Sequence, residues 1–188
     1  MTDEGGTPHR PWWRRGRGEQ LDTGAPVLTE EGVRRVVGSL PLPDPFDVRE
    51  LVRLVAERRQ RAITVLPYPA HVVARARAQH EPLPYGMWLA GTTADFIFYR
   101  EDTTEMHQQH VILHELGHIC LRHRTDTIDD VDAARITGGA AKRTVYGDGQ
   151  ERAAELFAYL VEQRAGSLNG RADADSKVAR RYRALLED

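Results

Sequence analysis

"HVILHELGHICL", residues 110–121, is the stretch on which the fold turns. Val111, Ile112, Leu113, Leu116, Ile119, Cys120 and Leu121 read as a buried helix, yet His114, Glu115 and His118 stand in its middle. Placing a carboxylate and two imidazoles in such a helix costs on the order of several kcal/mol unless each group is paired or bound to a metal. Something must compensate them.

On a helix, residues four apart lie about 40° apart around the axis and one turn along it. His114 and His118 can therefore converge on one ion, while Glu115, off that face, can reach a water bound to it. Two neutral nitrogen donors with a carboxylate to take a proton form the helix-borne H-E-x-x-H pattern of zinc metalloproteases, with Glu115 in the position of the general base. With 8 His in 188 residues, the five letters would arise by chance in about 2 % of shuffled chains, so the apolar context has to decide. Gly117 also removes a side chain beside the metal face, despite the roughly 1 kcal/mol it costs a helix. Cys120 is the only cysteine, which excludes an internal disulfide or a cysteine cage and leaves His, Asp and Glu as ligands.

A tetrahedral catalytic site takes a third protein ligand. His110 lies about 12 Å from His118 along the axis, too far for both to bind one ion; His107 fails likewise, and His123 points away from the shared face. The better source is "ERAAELFA", residues 151–158, which puts Glu151 and Glu155 on one face with Ala153 and Ala154 small enough to let two helices approach. For an oxyanion donor, Tyr146, Arg143 and His123 fall in the right region of the sequence.

The rest of the chain sets the frame. At 188 residues and 40 % apolar content it fits a single domain with a real core. A formal charge of -2 excludes recognition of nucleic acid or anionic membrane by bulk electrostatics. The N-terminus lacks the apolar core of a signal peptide and no run is long enough to span a bilayer, so a cytoplasmic protein is expected. Six of the ten prolines and seven of the sixteen glycines precede residue 46. Residues 1–45 therefore read as a flexible leader, its "RPWWRRGRG" a solvated tail and its "LTEEGVRRVVGSL" a short helix docking on the body. Residues 46–188 form the domain proper. There, 47–61 carry the apolar stripe of an amphipathic helix, "AITVLPY" reads as a buried strand, and "PYGMWLAGTTADFIFYRED" as two strands around a turn at 91–94. The histidine-bearing helix spans about 104–123, a loop and the "ERAAELFA" helix follow, and "DADSKVARRYRALLED" reads as a charged terminal helix. "DFIFYR" is the expected sheet edge for an extended substrate segment.

"HELGH" followed some thirty residues later by "ERAAELFA" resembles the ImmA/IrrE family of zinc metallopeptidases, whose second motif runs E-x-x-A-N-x-F-A. Glu151, Ala154, Phe157 and Ala158 match it. Glu155 stands at the Asn position, giving an E-x-x-A-E form similar to the E-x-x-A-D of related gluzincins, and Gln109 stands where many members have Arg. The resemblance covers about residues 46–165. It implies an α+β fold: a small zincin-like metallopeptidase domain, with a short sheet packed on the active-site helix and a second ligand-bearing helix. It implies one Zn2+ held by His114, His118 and Glu151. Glu155, one turn on, can then accept a hydrogen bond from the far nitrogen of a ligand imidazole. It further implies cleavage of a protein partner, a helix-turn-helix transcriptional repressor encoded nearby, with no membrane or direct nucleic-acid binding. The alternative is a metal-bound antagonist that holds a repressor or antitoxin without cutting it.

Overall fold

The computed structural model of the chain describes residues 26, 28–123, 127–128 and 146–168. Helix α1 (Glu30–Gly38) starts where the Thr29 hydroxyl accepts from the Gly32 N–H, and Glu30–Arg34 and Glu31–Arg35 pairs line its exposed face. Helix α2 (Val48–Arg59) is capped by Asp47, which accepts from the Glu50 N–H, and it buries Leu51, Val52 and Val55. Strand β1 (Ala62–Pro67), helix α3 (Ala70–Gln79) and strands β2 (Gly86–Gly91) and β3 (Ala94–Tyr99) follow. Helix α4 (Glu105–Cys120) opens on Thr104, whose hydroxyl accepts from the His107 N–H. A two-residue strand β4 (Thr127–Ile128) and helix α5 (Asp148–Leu168) complete the described elements.

The sheet order is β1-β3-β2-β4, with β1 parallel to β3, β3 antiparallel to β2 and β2 parallel to β4. "DFIFYR" is therefore not the edge expected for substrate. β3 is hydrogen-bonded on both sides, from Ala62↔Ala94 to Pro67↔Tyr99 along β1 and from Gly86↔Tyr99 to Ala90↔Asp95 along β2. Both its faces are buried, which is why its apolar run is continuous. Ile97 and Tyr99 join the main core with α4 and α5, whereas Phe96 and Phe98 pack with Tyr68 and Val72 in a second cluster. Helix α3, absent from the sequence reading, carries Val72 into that second cluster.

Among the described residues, residues 86–89 of β2 have no strand partner on the side away from β3, because β4 pairs only with Ala90 and Gly91. The short helix α1 packs on α5 and puts Val33 and Val37 into the main core. The Arg164 guanidinium ties it down by donating to the carbonyls of Val37 and Leu40 at 2.7 and 3.1 Å. Core packing thus continues back into the segment that composition assigns to the leader. "RPWWRRGRG", Arg143 and the charged terminal segment lie outside the described residues.

Helix α4 ends at Cys120, three residues before the expected end. Arg122 takes a left-handed conformation at φ 62°, and the His123 N–H turns back to donate to the His118 carbonyl at 3.0 Å.

Candidate metal centre

Helices α4 and α5 pack closely where α4 has Gly117 and α5 has Ala154 and Phe157. A Cβ on Gly117 would lie 3.1 Å from Phe157 and 3.2 Å from the Ala154 carbonyl, so glycine here sets how closely α5 seats. That approach brings Glu151 onto the histidine face. His114 Nε2 and His118 Nε2 lie 3.1 Å apart, with Glu151 oxygens 3.3 Å from the first and 3.8 Å from the second. One ligand atom from each of the three residues falls within 4.8 Å of the others.

This group fits a small tetrahedral ion. With bonds of about 2.0–2.1 Å, neighbouring donors of such an ion stand about 3.3 Å apart, close to the separations seen. Two imidazole nitrogens and one carboxylate oxygen suit zinc and neighbouring transition metals rather than calcium or magnesium, which prefer all-oxygen sites. The local field also favours a cation. Burial penalises the His114 imidazolium, but the carboxylates of Glu151 and Glu155 outweigh it and raise that pKa to about 9. His118, by contrast, is driven down to about 2 by burial and by its histidine neighbours, so it stays the neutral imidazole that a ligand must be.

Glu115 is 7 % exposed and lies against β2. Burial raises its pKa to about 7, opposed by His114, while the Trp88 backbone N–H donates to its carboxylate. Gly86 makes room for it: a Cβ there would sit 2.5 Å from Val111 Cγ1 and 2.7 Å from Glu115 Oε1. The carboxylate thus neighbours the part of β2 that, among the described residues, has no strand partner away from β3. Neither Gly86 nor Trp88 stood out in the sequence; the signal was a glycine at the start of a strand, which marks close approach.

Glu155 lies 3.5 Å from His114 Nδ1, on the side away from Glu151, where it can accept from that ring. His110 is not among the converging donors. Its Nδ1 lies 3.0 Å from Glu162 and its Nε2 3.3 Å from Glu155, and since ionised carboxylates only accept, the ring is an imidazolium. Hydrogen bonds to Glu155 and then Glu162 raise its pKa to about 10. Reciprocally, hydrogen bonds from His110 and His114 hold Glu155 well below the usual carboxylate range. The His110 ring takes up its proton in the unfolded chain only below about 6.5. Its contribution to stability is therefore complete below that value and is lost as pH rises through about 10. His110→Gln should accordingly lower stability by about 2 kcal/mol at pH 6. In urea titrations with chelator present, the difference should close above pH 10; a gap that persists there would mean that the ring acts through packing.

The remaining histidines are placed elsewhere. His107 packs its ring on Tyr85, with centroids 4.6 Å apart. His123, a candidate oxyanion donor in the sequence, is behind His118: its Nδ1 lies 2.9 Å from His118 Nδ1, the nitrogen turned away from the metal group. Tyr146 stacks on His118 at 3.8 Å between centroids.

A model of the IrrE N-terminal-like domain, a peptidase family, matches residues 56–185. No curated protein and no solved structure matches the chain. The matched span contains the whole sheet, α4 with both histidines and Glu115, and α5 with Glu151. It covers well over half of the sequence, and the chain belongs to the IrrE N-terminal-like domain family of peptidases.

Proposed function

We propose that the chain is a zinc-dependent endopeptidase that hydrolyses a peptide bond in a protein partner, in the family's manner a helix-turn-helix repressor. The observation that carries this reading is the convergence of His114, His118 and Glu151 beside a buried Glu115 that adjoins a strand edge unpaired among the described residues. Held by those three residues, one zinc ion would polarise the scissile carbonyl and acidify a water molecule. Glu115 takes the proton of the attacking water and returns it to the leaving amine. The open stretch of β2 takes the substrate as an added strand, the role that β3 cannot fill. Glu155 holds the His114 ring in the tautomer that offers Nε2.

The decisive experiment mixes the protein with the product of a neighbouring repressor gene, with and without chelator. Defined fragments that vanish with chelator support a peptidase. A stable metal-dependent complex without fragments would establish a non-cleaving antagonist.

The ligand assignment is tested on α5. Glu151→Ala should fail to retain zinc through dialysis, whereas Glu155→Ala should keep it with affinity reduced about 10- to 100-fold. The reverse order in a zinc titration would move the third bond to Glu155.

A further inference from the structure

Two buried rings meet behind the candidate metal centre. His118 is fully buried and His123 is 3 % exposed, and their Nδ1 atoms are 2.9 Å apart, hydrogen-bond distance for one shared proton. Two nitrogens that both carried hydrogen would repel at that separation, and two bare lone pairs would too. One ring donates and the other accepts.

The direction follows from the opposite edge of His118. Its Nε2 faces His114 Nε2 and Glu151, so when it binds an ion that nitrogen contributes its lone pair. A neutral imidazole then carries its hydrogen on Nδ1. We infer that His123 is a positioning residue for the metal centre: its Nδ1 accepts the His118 Nδ1–H, fixing the ring's tautomer and aim, and its own hydrogen lies on Nε2. The inference rests on the metal-binding reading above.

The backbone is shaped for this. The left-handed Arg122 breaks the helix so that the chain returns, and the His123 N–H donates to the His118 carbonyl. His123 is thereby held to the residue it supports by a backbone bond and a side-chain bond together. The two ligand rings have unlike supports: an anionic carboxylate from α5 behind His114, and a neutral imidazole from the end of α4 behind His118. Glu155 strengthens its ring as a donor by charge, whereas His123 contributes mainly orientation.

The test uses the full chain and zinc itself. Asparagine places its Oδ1 where histidine has Nδ1, whereas glutamine carries its oxygen one atom further out. In competition titrations, His123→Asn should bind zinc within about threefold of wild type, while His123→Ala and His123→Gln should lose about 10- to 100-fold. Chelator-treated samples should show matching far-UV circular dichroism. On the zinc-loaded, 15N-labelled wild type, long-range proton–nitrogen correlation should find hydrogen on His118 Nδ1 and on His123 Nε2. Equal losses in all three variants, no loss in any, or hydrogen on His123 Nδ1 would overturn the inference. Should a variant fail to fold, the nitrogen spectrum of the wild type still decides. A wild type that binds no zinc would remove the metal centre itself, a different failure from one confined to His123.

Discussion

Glu115→Gln should keep one metal ion per chain and lose cleavage by about 10²- to 10⁴-fold in kcat, the range that a positioned general base contributes. The amide fits the same space under Gly86 and can still pair with the Trp88 N–H through its oxygen, so the fold should not change. What it loses is the capacity to hold a proton taken from water. Glu115 follows His114 by one position and leaves the donor face to His114, His118 and Glu151, so metal content should stay level. Metal analysis beside a single-turnover cleavage assay separates the two effects. A fall in metal content as deep as that of His114→Ala would make Glu115 a ligand and undo the assignment of roles.

The largest effect on stability is expected at Asp95. Its carboxylate is 1 % exposed, and its Oδ2 accepts from Arg59 at 2.9 Å and Arg61 at 3.1 Å, while Oδ1 accepts from the Trp88 indole at 3.3 Å. Arg61 also donates to the carbonyls of Gly91, Thr92 and Ala94, so one anion anchors the cation that fixes the turn between β2 and β3. Asp95→Ala leaves two guanidinium groups partly buried without their counter-ion. Removing one partner of a buried pair typically costs about 3–5 kcal/mol, and for a chain of this size that lowers Tm by roughly 10 °C. Thermal or urea denaturation checks it; a loss under about 1 kcal/mol would mean that the arginines are paired as well by other groups.

Elements marked by local chemistry were legible in the sequence. Thr29 and Thr104 cap α1 and α4 as side-chain acceptors, and the apolar stripe of α2 is helical in spacing. The His114–His118 pair was legible for the same reason, because i, i+4 geometry is fixed once a helix is granted, whereas spacing left Glu151 and Glu155 as equals and only the motif resemblance chose Glu151. Features decided by distant partners were not. An unbroken apolar run such as that of β3 reads alike at an edge or in the centre of a sheet, since alternation is erased when both faces are buried. Helix α3 buries only Val72, so it left too faint a stripe to find. The left-handed turn at Arg122 carries no glycine to announce it, which let the helix overrun to His123. The imidazolium bridge from His110 to Glu155 and Glu162 spans 45 and 52 residues, beyond any pattern of spacing.

On the proposed function, the short stretch of β2 that has no second strand partner among the described residues would limit what the protein can attack. Residues 86–89 extend about 13 Å, and a target must lay a matching length of backbone along them with its own N–H and C=O groups free. In a helix four residues advance about 6 Å and their backbone groups are already engaged, so helical regions of a partner are sheltered whatever their side chains. Vulnerable bonds would then be confined to linkers and locally unwound segments. The partner's own folding, through the frequency with which such a segment opens, would set how fast it is consumed.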